Sequence, residues 1–317
     1  VSRTARALAA GAALVCTTLA AHASPTGQEL LRRSQEAERA HDYRGVRIIR
    51  AFFPGQTVTA VTNVIHRRPA TTRVEYVSPP SVAGTVVLQI GPERWRHSPR
   101  DQRWRRAAAP PDIETLDLLM RNYEVSVGEG SQVARRNCTL LLIDPMHTGN
   151  PSRRIWVDRL TGLVLRSSLL NWRQEEISVS AFKEIEIDPD LSRVSALLQP
   201  PAPAGAQKTE GALDFRPIYP RYTPPGYVFI STEIVPMGKY RAAHLRYGDG
   251  LNTLSLFEAP TAAFAQERSL GNSELSFTRV MTWEKAGVTY ALMGDIHPDE
   301  LRKMAASVTP PAPAQGR

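Results

Sequence analysis

Residues 45–66 read GVRIIRAFFPGQTVTAVTNVIH. β-branched and aromatic side chains fill the two arms, 45–53 and 57–66, and Pro54-Gly55 between them signals a tight turn. The stretch is therefore an antiparallel hairpin. Period-two patterning continues downstream: Thr72-Arg-Val-Glu-Tyr-Val77 alternates, and residues 85–90 and 94–97 follow in the same manner. Such strands pack one face on a core and leave the other wet. Upstream, Thr26-Gly-Gln-Glu29 has the spacing of a capping box, in which the Thr hydroxyl and the Glu carboxylate satisfy orphan amides at a helix start. It opens a helix to about Ala40, with Leu30, Leu31, Ala37 and Ala40 as its apolar positions.

Beyond the hairpin, Pro110-Pro111-Asp112 starts a second helix, with Ile113, Leu116, Leu119, Met120 and Tyr123 at helical spacing. Strands resume at 123–127, 131–143, 154–158, 163–170 and 173–187. The pattern predicts a mainly β fold with some α (α+β): one large curved antiparallel sheet with helices laid across it. Residues 198–211, LQPPAPAGAQKTEG, carry no apolar period and read as a Pro/Ala-rich linker. A smaller antiparallel sheet with packed helices follows, its strands at 227–235, 240–247, 251–258, 276–283 and 288–293. Its helices fall at 261–268 and 298–308, and Pro298 takes the first position of the second.

Residues 1–23 begin with Arg3 and Arg6, continue through an apolar run and end at Ala21-His22-Ala23. That is the layout of a secretory signal peptide, and the run is too short and too diluted with Ala and Thr to span a bilayer. The expected organisation is a signal peptide over 1–23 cleaved near Ala23, a large domain over 24–197, the linker, a second domain over 212–309 and a tail over 310–317. The expected location is the periplasm. Cleavage removes Cys16 and leaves Cys138 alone in an apolar strand, which excludes an intrachain disulfide.

Of 39 basic residues, 34 are Arg, against 31 acidic ones. Residues 24–196 carry 25 basic and 20 acidic groups, and residues 197–317 carry 12 and 11, so the excess belongs to the large domain. It concentrates in residues 94–106, RWRHSPRDQRWRR: Arg94, Trp95, Arg96, Arg100, Arg103, Trp104, Arg105 and Arg106 with a single acid. Arg forks bind phosphate or carboxylate, and Trp supplies an interfacial ring. Nucleic acid is the usual partner of such a run. An exported protein seldom meets it, so lipid phosphates, lipopolysaccharide or an acidic protein segment are the expected partners; a twisted hairpin with a solvated Arg face is the plainer alternative.

Catalytic signatures are missing. There is no nucleophile elbow, phosphate loop or zinc helix, and the histidines lack metal-ligand spacing, so neither a metal nor a cofactor is expected. Ser180-Ala-Phe-Lys183 matches a penicillin-binding motif but falls in a strand without its companion motifs. Gly248-Asp-Gly250 precedes a strand, not a helix, and reads as a β-turn.

Several stretches together resemble the RseB/MucB family of periplasmic regulators of an extracytoplasmic-stress sigma factor. In the first domain they are Arg73-Val-Glu-Tyr76, Gly91-Pro-Glu-Arg-Trp95, Val133-Ala-Arg-Arg-Asn-Cys138, Ile155-Trp-Val-Asp158, Thr161-Gly-Leu-Val-Leu-Arg166 and Phe182-Lys-Glu-Ile185. In the second they are Pro224-Pro-Gly-Tyr227, the turn Tyr247-Gly-Asp-Gly-Leu251 and Met293-Gly-Asp295. The resemblance implies a first domain similar to the lipoprotein carriers LolA and LolB, an open half-barrel whose concave face accepts acyl chains. It implies a non-enzymatic negative regulator that binds the periplasmic segment of a single-span anti-sigma factor, shields it from proteolysis, and releases it on sensing lipid, lipopolysaccharide or mislocalised lipoprotein.

Alternation lets either Val46 and Ile48 or Arg47 and Ile49 face inward. Cavity candidates are Val46, Ile48, Val58, Val64, Val74, Tyr76, Val86 and Leu88, with Ile113, Leu116 and Met120 on the covering helix. For the partner, the candidates are the arginine run and the turn residues Tyr247, Asp249, Gly250 and Leu251. Association with a second copy of the chain is left open. Two other functions compete: a lipid or lipoprotein carrier, which has no need of the second domain, and a hydrolase built on Cys138, which would need a base such as His147 beside the thiol.

Overall fold

The computed structural model describes residues 25–100, 102–107, 116–200, 213–237, 239–266 and 279–309. Helix α1 (Gly27–Ala40) starts at the capping box: the Glu29 amide donates to the Thr26 hydroxyl at 3.2 Å and the Thr26 amide donates to the Glu29 carboxylate at 2.7 Å. The hairpin of β1 (Tyr43–Phe53) and β2 (Gln56–Arg67) turns at Pro54-Gly55, where Gly55 has φ 75°. Strands β3 (Thr71–Ser78), β4 (Val86–Ile90), β5 (Glu93–Ser98) and β6 (Arg103–Ala107) continue the meander.

Helix α2 (Leu116–Asn122) runs directly into β7 (Tyr123–Gly128). The start expected at Pro110, and Ile113 with it, lies outside the described residues. The single strand expected over 131–143 is broken into β8 (Gln132–Val133) and β9 (Arg136–Pro145) by Ala134 and Arg135, with φ of 48° and 63°. Two successive left-handed residues reverse the chain, a feature that an apolar count does not register. Strands β10 (Ser152–Asp158), β11 (Val164–Leu170) and β12 (Glu176–Ile187) complete the sheet.

Its order is β6-β5-β4-β3-β2-β1-β12-β11-β10-β9-β7, with β8 against β9, every pairing antiparallel and the ends β6 and β7 not paired with each other. It is an open sheet. A 3-10 helix (Ser192–Leu198) follows, absent from the sequence reading. It takes Leu198 into the core at 0% exposure, and the Leu198 carbonyl accepts a hydrogen bond from Arg67. Leu198 is therefore packed, not linker. Residues 201–211 of that segment, and residue 212 after it, lie outside the described residues.

The second sheet has the order β13-β14-β15-β17-β16, built from β13 (Val228–Met237), β14 (Tyr240–Gly248), β15 (Thr253–Pro260), β16 (Arg279–Lys285) and β17 (Val288–Gly294). Helix α3 (Thr261–Gln266) separates β15 from β16, and α4 (Pro298–Ser307) closes the unit. Leu301, Met304 and Val308 pack into a core with Leu245, Leu254, Leu256 and Leu292. No helix among the described residues is long and apolar enough to cross a membrane. Residues 1–24 lie outside the described residues.

Candidate functional site

Three places carry the residues singled out in the sequence: the faces of the β1–β4 meander, the β5–β6 hairpin and the junction between the sheets.

The meander resolves the alternation. Tyr43, Ala51 and Arg47 share a face with Val58, Val64 and His66 through the β1–β2 register, and this face extends to Val74 and Tyr76 on β3. Ala37 of α1 packs on it with Tyr43, Val64 and Phe182. His66 ties the layers together: one ring nitrogen bonds the Glu38 carbonyl on α1 and the other the Thr72 hydroxyl, both at 2.7 Å. Val46, Ile48, Val86 and Leu88 belong to the opposite face. The cavity candidates thus divide between two faces, with Leu116 and Met120 packing near Leu31 and Tyr123 under the helices.

The opposite face carries a shallow depression of about 510 Å³, bounded by Val46, Asn63, Arg73 and Glu75 of the sheet and by Val194 and Leu197 of the 3-10 helix. Ion pairs Arg44–Glu186 at 2.6 Å and Arg73–Glu75 at 2.7 Å stand on it. On the helix side, the Arg47 guanidinium lies 4.4 Å from the Phe182 ring centroid. Both faces therefore mix apolar surface with charge.

The hairpin lies at the end of the large sheet. Register pairs Arg96 with Arg105, Arg94 with Ala107 and Ser98 with Arg103, which puts Arg94, Arg96, Arg103 and Arg105 on one face. Trp95, His97, Trp104 and Arg106 take the other, with His97 and Trp104 at 5.4 Å and Arg106 paired to Glu93 at 2.8 Å. Arg100 is exposed beyond the strand end.

The turn Tyr247-Gly-Asp-Gly-Leu251, a candidate contact for a partner, is buried between the two sheets. Asp249 is 0% exposed; one carboxylate oxygen accepts the amides of Leu251 (2.9 Å) and Asn252 (2.7 Å), and the other accepts the Tyr123 hydroxyl. Asn252 also donates to the Tyr123 oxygen at 2.8 Å. Asn122 donates to the carbonyls of Gly226 (2.9 Å) and Asp249 (2.8 Å). Burial and the Asp249 charge push the Tyr123 phenol far up, so it stays protonated and donates. Leu251 enters the large sheet's own core beside Leu119 and Tyr123. Gly250 has φ 96°, and a Cβ there would stand 2.3 Å from the Leu119 amide nitrogen. Elsewhere on the seam, Asn150 donates to the Pro225 carbonyl, and the Trp172 and His297 rings meet at 4.3 Å. The turn chemistry was readable, but its receptor, Asn122 and Tyr123, was not.

Cys138 is 1% exposed, and burial together with Asp158 pushes its thiol up, opposite to what a nucleophile needs. The His147 ring is engaged instead by Asn122 at 3.2 Å. Ser180 and Lys183 lie on β12. Among the described residues no three His, Cys, Asp or Glu side chains converge as a metal site.

Residues 26–200, which contain the large sheet and the 3-10 helix, match the MucB/RseB N-terminal domain. The chain belongs to the MucB/RseB family. Among its relatives in that family is the sigma factor AlgU regulatory protein MucB of Pseudomonas aeruginosa, 29% identical over 202 residues. The alignment covers 61% of this chain and 62% of that protein, so it spans less than two thirds of the curated relative. The structure of the Pseudomonas aeruginosa MucA/MucB complex aligns with a TM-score of 0.64 at 19% identity over 90% of this chain and 99% of that chain. MucB in complex with MucA(peri) gives 0.64 at 20% identity over 90% and 100%. At those identities the likeness is one of fold, and it extends the family architecture to the second sheet.

Proposed function

We propose that this MucB/RseB-family chain is a periplasmic negative regulator of an extracytoplasmic-stress sigma factor. It holds the periplasmic segment of a single-span anti-sigma factor, protects it from proteolysis, and lets go when lipid or mislocalised lipoprotein occupies the large sheet. The observation that carries this reading is the family match over the large sheet, in a family whose curated relative is named as a sigma-factor regulatory protein. A raised thiol at Cys138 and an engaged His147 also favour binding over catalysis. In thermodynamic terms, lipid can displace the partner only by as much as it prefers the partner-free state.

The test is titration of the purified protein with the periplasmic segment of the anti-sigma factor encoded in the same genome, followed by protease digestion of the segment. Saturable binding and slowed cleavage, both reversed by added lipid, are expected. A segment that is neither bound nor protected would overturn the regulator; binding and protection that lipid leaves untouched would overturn the sensing step alone.

A further inference from the structure

Leu251 belongs to the second unit by sequence and to the first by packing. It is 6% exposed, in a cluster with Leu31 of α1, Leu119 of α2, Ile143 of β9 and Val157 of β10. Among the described residues it is the one member of that cluster from beyond residue 200. A core drawn from the large sheet and its helices is thus completed by a side chain that arrives on a turn from elsewhere. If the turn withdraws, an aliphatic socket is left behind.

What holds the turn is polar, and what fills the socket is apolar. The Leu251 and Asn252 amides donate to the Asp249 carboxylate, Asn122 donates to the Asp249 carbonyl, and the Leu251 carbonyl accepts Arg153 at 3.4 Å. Water can replace each of those partners when the turn leaves. Only another apolar group can replace the Leu251 side chain, because an apolar socket stays dry and an empty one is unfavourable in proportion to its volume. Leu30 of α1 and Leu116 and Met120 of α2 are half-buried and pack against the same cluster. They extend its apolar surface outward to solvent.

We propose that Leu251 is a built-in plug, and that the socket it fills takes the end of an acyl chain when the turn withdraws. The two occupants exclude each other. This rests on the reading of the chain as a lipid-responsive regulator and names the contact that lipid breaks: a chain in the socket unseats the second sheet from α2 and β7. The chemistry of the occupant is read from Leu251 itself, a saturated hydrocarbon end with no polar atom. A leucine from another protein has the same end, but it brings backbone groups that need partners in a buried place. An acyl chain brings none. Competition fixes the energetics as well, since a ligand that binds only the unplugged state is weakened by the fraction of molecules unplugged. Any change that unseats Leu251 therefore tightens it.

The experiment titrates the full protein with decanoate in a calorimeter, for wild type, Leu251→Ala and Gly250→Ala. The first variant removes the plug; the second keeps the leucine and pushes its turn off Leu119. Both should bind decanoate about tenfold or more tightly than wild type. In wild type, saturating decanoate should speed hydrogen exchange at the Leu251 and Asn252 amides. Tighter binding by Leu251→Ala alone would mean that the probe fills only a hole made by truncation, and would overturn the plug. Equal affinities, or no binding by any of the three proteins, would overturn it too. Should a variant fail to fold by circular dichroism, amide exchange in wild type decides, and exchange left unchanged or slowed by decanoate counts against the plug. N-acetyl-leucinamide is titrated in parallel; its binding in place of decanoate would overturn the acyl chain in favour of a peptide.

The anti-sigma segment separates this proposal from the one it rests on. If decanoate frees the Leu251 and Asn252 amides but the segment is never bound, the regulator reading fails and the plug stands. If decanoate releases a bound segment while both amides stay protected, the plug fails and the regulator reading stands.

Discussion

The hydroxyl of Tyr123, the first residue of β7, donates a hydrogen bond to the carboxylate of Asp249, in a turn of the second sheet 126 residues away. Both side chains are fully buried, so this bond is part of the molecule's interior. Removing one partner leaves the other desolvated and unsatisfied. Tyr123→Phe should lower stability by about 1–3 kcal/mol, and Asp249→Asn should act in the same direction. In a double-mutant cycle measured by urea unfolding, the two should couple; simple additivity would mean that the bond contributes nothing across the seam.

Gly250 is the tightest point of the same junction. Gly250→Ala would bring a methyl group against the Leu119 backbone at a residue with φ 96°, a conformation that alanine also resists. The turn should withdraw from the large sheet at a cost of about 2 kcal/mol or more. The loss should appear as a lower urea midpoint than in wild type, and an unchanged midpoint would contradict the packing described.

Leu251 is a large apolar side chain that crosses from one sheet into the core of the other. Leu251→Ala should cost about 2–5 kcal/mol, the range for a cavity in a closed core. A cost below about 1 kcal/mol, read from chemical denaturation, would show that the sheets are held by their polar contacts alone.

Glu258 supplies a pH dependence. Its carboxyl is 0% exposed, accepts the Ile218 amide at 2.9 Å through one oxygen, and is pushed up by burial to about 7 from 4.5. A raised folded value means that the native state keeps the proton while the unfolded chain releases it. Stability should therefore fall as pH rises from about 4.5 to about 7, by at most about 3 kcal/mol, and level off above. Glu258→Gln should remove this slope and stabilise the protein above neutral pH. A wild-type slope of opposite sign in that window would refute the assignment.

Cys138 should be silent in the native state. The buried thiol should react with a small aromatic disulfide reagent only as fast as the protein unfolds. Stoichiometric labelling of folded protein would reopen the hydrolase alternative.

Local chemistry was plain in the chain where one residue controls its own neighbourhood. The capping box at Thr26, the Pro54-Gly55 turn and Pro298 at the start of α4 all act within a few residues, and each stands as expected. Mistakes arose where backbone conformation departs from what composition shows, as at Ala134-Arg135, and where an element is fixed only by what it touches, as in the 3-10 helix that carries Leu198 into the core.

What the sequence determined by itself was the class of fold: two antiparallel sheets, strands with one apolar face, and the basic charge gathered in one hairpin, since alternation and charge are properties of short stretches. What only the tertiary structure decided was which face each strand turns inward and what the second sheet's turn is for. A one-residue change of register inverts every side chain of a strand, so the split of Val46 and Ile48 from Val58 and Val64 waits on pairing with β2 and β12. Asp249 and Gly250 read as a β-turn and a candidate partner contact because their receptor, Asn122 and Tyr123, lies more than a hundred residues earlier and becomes a neighbour only when the two sheets close on each other.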